Sequence, residues 1–94
     1  MKNKIIFFGN IFLDNFENYL RMKDSFNSIY DNKIFFDYII NIRGKYSAKS
    51  IKFFKKKGVR NLFNISSDHG WYHDSYSILN QIEFNYIFCW LEDF

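Results

Sequence analysis

The stretch IFFDYIINI, residues 34–42, decides the fold that we expect of this chain. Only Asp37 and Asn41 interrupt its run of apolar and aromatic side chains. A strand with one face in water alternates apolar and polar residues, whereas a strand of a parallel sheet is covered on both faces and is apolar almost throughout. We therefore expect residues 34–42 to form a buried strand of a parallel sheet, which ends at the polar residues 43–45.

Three other segments have the composition of strands. The first lies within the apolar residues 4–13 and is expected to end near Gly9 or Asn10, the second spans the more polar residues 59–65, and the third spans residues 86–91. Strands that alternate with helices through short connections are typical of a parallel sheet with right-handed crossovers. These segments are therefore expected to join residues 34–42 in one sheet.

Apolar side chains at helical spacing predict one helix in each gap between these strands. The helices are expected over residues 14–30, over residues 47–57, and over a segment whose first turn is capped by His73 or Asp74. We also expect Asp14, in a capping box with Glu17, to cap the first helix and Ser47 to cap the second. Gly58 is expected to end the second helix.

The order β-α-β-α-β-α-β predicts an α/β fold, a Rossmann-like three-layer sandwich of four mainly parallel strands with helices on both faces. We expect residues 1–94 to form a single unit, because a chain of this length has no room for two cores. The side chains expected in the core are Ile6, Phe8, Phe36, Ile39, Ile40, Leu62, Ile87 and Cys89.

Composition and charge narrow the classes of function. A net charge of +3 over 94 residues is too small to indicate a nucleic-acid partner, and none is expected. The single Cys89 cannot form an intrachain disulfide and fits a reducing compartment, so a cytoplasmic location is expected. We interpret the apolar beginning of the chain as a buried strand rather than a signal peptide, because no small-residue cleavage site follows it.

Polar residues follow each predicted strand. Ligands of open α/β sheets bind beyond the carboxyl ends of the strands, so these residues are expected to converge on one edge of the sheet. They are Gly9 with Asn10, Asn41 with residues 43–45, residues 66–69, and Glu92 with Asp93. Each group taken alone also fits an ordinary polar loop.

Three sets of residues have a chemical interpretation and a structural alternative. Glu92 and Asp93 suit a hard cation such as Mg²⁺ or Mn²⁺, which binds carboxylates together with phosphate oxygens, or they form a solvated chain end. His69 and His73 have the spacing of zinc ligands on a helix, or they belong to a capping turn. The basic residues 43–60 form a solvated helix end, or they attract phosphate or a nucleic acid.

The stretch NYIFCWLED, residues 85–93, resembles the strand that ends in the acidic metal-binding motif of GT-A glycosyltransferases. The loop at residues 64–70, the helix after it and the polar end of the second strand are similar to the layout of that family. The resemblance covers the whole chain and implies the first half of such an enzyme, which binds the nucleotide-sugar donor. It implies an incomplete catalytic domain that lacks the acceptor half and is inactive as this fragment.

The resemblance also implies a donor site with a metal. Glu92 and Asp93 would hold a divalent cation, Mn or Mg, that bridges the diphosphate of the donor. Asn41 and Arg43 stand where the family usually has an acid that contacts the base. The residues implied at the nucleotide sugar are Gly9, Asn10, Asn41, Arg43 and Asp68. The parent enzyme would associate with a membrane peripherally.

A second class of function stays open, namely a small non-catalytic α/β module for binding or for protein interaction. Aromatic residues make up 23% of the chain and could form such a binding surface. An open sheet also has uncovered edges, and these favour self-association into a homo-oligomer under either interpretation.

Overall fold

The computed structural model of the chain describes residues 4–31 and 37–90, and within them it confirms one parallel sheet with three helices. No helix in the described ranges is both long and apolar enough to cross a membrane. In chain order the elements are β1 (Ile5–Phe12), α1 (Phe16–Tyr30), β2 (Asp37–Arg43), α2 (Ser47–Lys56), β3 (Asn61–Phe63), α3 (Trp71–Leu79) and β4 (Tyr86–Trp90).

The strands lie in the order β3-β2-β1-β4, and every neighbouring pair is parallel. The chain steps outward from β1 to β2 and β3, and then crosses back to place β4 on the other side of β1. Such a reversal of strand order is the point at which doubly wound α/β sheets bind their ligands. The expected α/β, Rossmann-like sandwich is therefore the fold of this chain.

Helices cover both faces of the sheet, because successive side chains of a strand point to opposite faces. On the face that we call the aromatic face, Phe7, Ile11, Ile40 and Ile42 pack against α1 and α2. On the face that we call the α3 face, Ile6, Phe8 and Ile39 pack against Ile78 of α3. The described residues thus form three layers, with two helices on one side of the sheet and one on the other.

The core contains most of the side chains predicted for it. Ile6, Phe8, Ile39 and Ile40 are buried, Leu62 and Ile87 are half-buried, and Phe36 lies outside the described residues. The prediction for Cys89 was wrong, because this side chain is exposed. Its strand, β4, is at the edge of the sheet, where one neighbouring strand and one short helix leave Cys89 accessible to solvent.

The predicted helices are present, but their first turns differ from the sequence-based expectation. Asn15, rather than Asp14, caps α1, and its Oδ1 accepts a hydrogen bond of 2.8 Å from the backbone N–H of Asn18. Ser47 is the first residue of α2, and no side-chain hydrogen bond caps that helix. The chain enters α2 from Tyr46, whose N–H donates to the Leu13 carbonyl at 3.1 Å, so a tertiary contact replaces the expected cap.

The other boundaries follow from local conformation and packing. Gly58 stops α2 as predicted and has φ +94°, which a residue with a Cβ rarely adopts. α3 starts at Trp71, before the expected caps at His73 and Asp74, so both lie inside its first turns. β1 does not end near Gly9 or Asn10 but continues to Phe12, because it pairs with β2 as far as Arg43.

Candidate functional site

Three of the predicted site residues meet on the α3 face near the carboxyl end of the sheet. Asn10 of β1 lies opposite Asn41 of β2 in the register. The Asn41 amide donates to Asn10 Oδ1 at 3.1 Å, and Arg43 Nε donates to the same oxygen at 3.0 Å. One amide oxygen therefore orients both an amide and a guanidinium. We call Asn10, Asn41, Arg43 and Ser75 the amide cluster.

Ser75 brings α3 into this cluster. Its hydroxyl accepts a hydrogen bond of 2.7 Å from the Asn10 amide nitrogen, and the serine is almost fully buried. Because Asn10 accepts through its oxygen and donates through its nitrogen, both ends of its amide are fixed. The amide cluster thereby connects β1, β2 and α3.

Asn41 also fixes the loop after β3. Its amide nitrogen donates to the Ile65 carbonyl at 2.9 Å, and its Oδ1 accepts from the Ile65 N–H at 2.7 Å. A side-chain amide therefore pairs with one backbone residue through two hydrogen bonds, as a strand neighbour would. Since Asn41 is fully buried, these bonds also satisfy polar atoms that water cannot reach.

Asp74 ties the same loop to the first turns of α3. Its carboxylate accepts hydrogen bonds from the Ser67 hydroxyl at 2.5 Å and from the Ser67 N–H at 3.0 Å. These bonds favour the ionised form and hold the pKa of the Asp74 carboxyl below its ordinary value. The nearby His73 acts in the same direction, and loss of solvent contact acts against it. Asp74 is thus a fixed acceptor that shapes the loop.

A cleft of about 270 Å³ opens beside the amide cluster, between α3 and strands β1 and β4. One end is polar, at Asn10 and Ser75, and most of the remaining wall is apolar or aromatic. Small-molecule sites commonly combine apolar walls with a few oriented polar groups. The residues that line the cleft are Phe8, Asn10, Tyr72, Ser75, Tyr76, Leu79 and Cys89.

Arg43 contributes a positive charge that no carboxylate of the described residues neutralises by an ion pair. Its guanidinium is half-buried and lies 5.6 Å from the centroid of the Phe12 ring. A guanidinium in this position favours an anionic ligand, and its flat fork of N–H groups suits phosphate or carboxylate oxygens.

The remaining predicted site residues are not part of the amide cluster. Gly9 lies beneath the Trp90 ring. The approach is so close that a Cβ on Gly9 would come within 2.9 Å of Trp90 Cε3. Asp68 is in the exposed turn before α3. Glu92 and Asp93, the predicted metal ligands, lie outside the described residues.

The two histidines approach each other without forming a metal centre. The rings of His69 and His73 have centroids 4.7 Å apart. Within residues 4–31 and 37–90, however, no three side chains of His, Cys, Asp or Glu come together in a group that could hold a metal ion. His69 lies in the turn before α3, and His73 lies inside the first turns of that helix.

Sequence reasoning missed the contribution of α3 to the cleft. Tyr72, Ser75, Tyr76 and Leu79 recur at the spacing of one helix face. That stripe was detectable, but its polar and aromatic members gave no reason to place it over a ligand rather than over a core. The hydrogen bond between Ser75 and Asn10, which joins residues 65 positions apart, places this face of α3 beside the cleft.

The chain matches no protein-family model, no curated protein and no solved structure.

Proposed function

We propose that this chain binds the nucleotide-sugar donor of a GT-A-like glycosyltransferase at the carboxyl end of its sheet. The observation that carries the proposal is the hydrogen bond that the Arg43 guanidinium donates to Asn10, a residue that lines the cleft. Strand order supports it as well, because β1 borders the reversal at which α/β sheets bind ligands. The resemblance of residues 85–93 to the glycosyltransferase motif indicates the kind of ligand, a nucleotide sugar.

Arg43 would bind the diphosphate. Since Nε is the nitrogen that donates to Asn10, the two terminal nitrogens can donate to phosphate oxygens. Charge-assisted bonds of this kind are about twice as strong as bonds between neutral groups. Asn10 holds Arg43 in place through its amide oxygen, which also accepts a hydrogen bond from Asn41.

The cleft would take an uncharged ring of the donor. Tyr72 and Tyr76 line it and are 74% and 63% exposed, so a bound ring would remove apolar surface from water. Burial of apolar surface contributes about 25 cal/mol per Å². The hydroxyl of Ser75 and the amide of Asn10 add polar groups that can orient the ring.

A divalent cation, Mg²⁺ or Mn²⁺, completes the proposal, with Glu92 and Asp93 as its protein ligands. Both follow β4 closely, two and three positions after Trp90. Carboxylates repel a diphosphate, and they can share a site with it when a hard cation lies between them. The cation would neutralise charge and position the diphosphate, in a protein that we expect to be cytoplasmic.

Isothermal titration calorimetry tests the proposal. UDP-sugars and GDP-sugars are titrated into the chain with Mn²⁺, and the titration is repeated with EDTA. We expect weak binding that needs the metal, and we expect the double variant Glu92→Ala, Asp93→Ala to lose this metal dependence. Binding that survives EDTA unchanged contradicts the metal role.

Arg43→Gln, with Arg60→Gln as its matched control, tests the anion site. Arg60 is exposed and lies outside the amide cluster. Because bonds to a charged group contribute about 1.5–3 kcal/mol, Arg43→Gln should weaken binding by about 10- to 100-fold. Arg60→Gln should leave it unchanged. No binding of any sugar nucleotide by the unaltered chain would favour the protein-interaction module instead.

A further inference from the structure

Positive charge is concentrated in one segment of the chain. Residues 43–60 contain eight basic residues and no acidic one, although the net charge of the whole chain is only +3. The segment includes all of α2, whose buried side chains are Ser50 and Phe54. The lysines of α2 are all exposed, at positions 49, 52, 55 and 56. α2 therefore presents a positively charged surface away from the sheet.

Ammonium groups and aromatic rings alternate where α1 and α2 meet. Lys49 Nζ lies 5.6 Å from the centroid of Phe16 and 5.9 Å from that of Tyr19. Lys23 Nζ lies 5.2 Å from Tyr19 and 5.6 Å from Phe53. These cation–π contacts hold lysine side chains along the junction of the helices, so the positive charge has a defined place.

Apolar side chains are exposed beside these lysines. Phe16 is 50% exposed and Leu20, one turn further along α1, is 43% exposed. An exposed leucine or phenylalanine on its own is ordinary. Phe16 lies beside Lys49 of α2, a helix that carries only positive charge. Leu20 extends the apolar surface along α1, where Arg21 pairs with Glu17 and Asp24 is exposed, so the positive charge comes mainly from α2.

We propose that the outer surface of α1 and α2 binds a membrane that contains anionic phospholipids. Its members are Phe16, Leu20, Lys23, Lys49, Lys52 and Lys56, which we call the helix-pair surface. Lysines near an anionic membrane contribute about 1 kcal/mol each, and apolar side chains inserted between headgroups add to this. The partner is therefore a membrane surface that carries negative charge and into which apolar side chains can insert.

A single-stranded nucleic acid fits this surface less well. Such a strand binds through bases that stack on open aromatic rings. The rings of Phe16, Tyr19 and Phe53 already have lysine ammonium groups of the same chain beside them. Leu20, an aliphatic side chain, offers nothing on which a base can stack.

Membrane binding at this surface would leave the candidate donor site accessible. The helix-pair surface belongs to the helices on the aromatic face, whereas the cleft lies under α3 on the opposite face. The two activities therefore depend on different residues. Loss of membrane binding should leave nucleotide-sugar binding intact, and the reverse should also hold.

Vesicle sedimentation tests the proposal with the whole chain. Vesicles of phosphatidylcholine alone are compared with equimolar phosphatidylcholine and phosphatidylserine. We expect binding to the mixed vesicles only, with a loss at high salt because salt screens exposed charges. Equal binding to both kinds of vesicle, or to neither, overturns the proposal.

Two charge variants locate the surface. A triple variant that removes three lysine charges of α2 should weaken vesicle binding by about 100-fold. Its substitutions are Lys49→Gln, Lys52→Gln and Lys56→Gln. The matched control, Ser77→Glu with Asn80→Glu and Gln81→Glu, lowers the net charge equally at the end of α3 and should retain binding. Equal losses in both variants would show that net charge alone matters and would overturn the assignment to this surface.

Phe16→Ser with Leu20→Ser tests the apolar contribution. Both side chains are exposed, so the fold should persist, and the binding to mixed vesicles should fall about tenfold or more. Unchanged binding would contradict insertion of these side chains. The surface would be assigned to nucleic acid instead if the chain bound an oligothymidylate more tightly than mixed vesicles at the same salt concentration. That binding would also have to be lost in the lysine variant.

Discussion

The two faces of the sheet are stabilised by different kinds of contact. On the aromatic face, rings from α1, α2, β1 and β4 meet around Phe26, which contacts Phe7, Phe54 and Trp90. On the α3 face, apolar packing is limited to the middle of the sheet, and towards the carboxyl end it gives way to hydrogen bonds among Asn10, Asn41 and Ser75.

This difference separates the residues that stabilise the fold from those of the candidate site. Two helices exclude water from the aromatic face, so apolar burial there can supply most of the folding free energy. A single nine-residue helix covers the α3 face incompletely and leaves the cleft beside β4. The candidate site lies where the helix leaves the sheet uncovered, and hydrogen bonds among Asn10, Asn41 and Ser75 fix its shape.

Phe26→Ala should have the largest effect on stability. The ring is fully buried at the centre of the aromatic face, and removal of a buried phenylalanine costs about 3–5 kcal/mol. Tyr76→Ala on the α3 face should cost about 0.5 kcal/mol or less, because this ring is mainly exposed. Urea unfolding measures both values. Similar losses for the two variants would contradict the asymmetry between the faces.

Asn41→Ala should have the next largest effect, about 2–3 kcal/mol, although it removes little apolar surface. The variant removes two hydrogen bonds to the Ile65 backbone and one to Asn10 from a fully buried position, and each such bond contributes about 1 kcal/mol. Asn64→Ala is the control, since Asn64 is exposed and donates one bond of 2.7 Å to the Ile42 carbonyl. An equal cost for both would show that the amide cluster does not stabilise the α3 face.

Gly9→Ala should destabilise the fold by about 1–2 kcal/mol, because the new methyl group would press on the Trp90 ring. Trp90 is itself packed against Phe7 and cannot move freely. The neighbouring Cys89→Ala, on the exposed side of β4, should change stability by about 0.5 kcal/mol or less. Thermal unfolding of the two variants shows whether the aromatic face is as tightly packed as this predicts.

The smallest effects on stability are expected from changes of pH. These effects have opposite directions on the two faces of the sheet. Because the pKa of the Asp74 carboxyl is lowered in the folded chain, its contribution to stability is present above the unfolded pKa of about 3.9. It is lost as pH falls through the lowered folded value. The urea midpoints of the unaltered chain and of Asp74→Asn should therefore differ at pH 7 and converge in acid.

Tyr38 provides the opposite case on the aromatic face. Burial, together with the nearby Tyr30, raises the pKa of the Tyr38 hydroxyl. Its contribution is therefore present below the unfolded pKa of about 10 and is lost as pH rises through the raised folded value. Tyr38→Phe should reduce the loss of stability in alkali and leave the acid side unchanged. A change on the acid side alone would contradict this assignment.

The amino-acid sequence by itself determined the type and order of the elements. Apolar continuity and helical spacing are local properties, so they predicted four parallel strands, three helices and the stop at Gly58. They also predicted that Asn10, Asn41 and Arg43 belong to the carboxyl ends of strands. The register then makes Asn10 and Asn41 neighbours. These features needed no knowledge of distant contacts.

Tertiary structure alone decided the rest. Whether Cys89 is core or surface depends on the position of β4 in the sheet, and which residue opens a helix depends on what the preceding chain contacts. Ser75 became part of the site because the crossover through α3 places it over β1, within 2.7 Å of Asn10. The physical reason is that a side chain's surroundings are set by residues far away in the chain, whereas a pattern in sequence reports only on near neighbours.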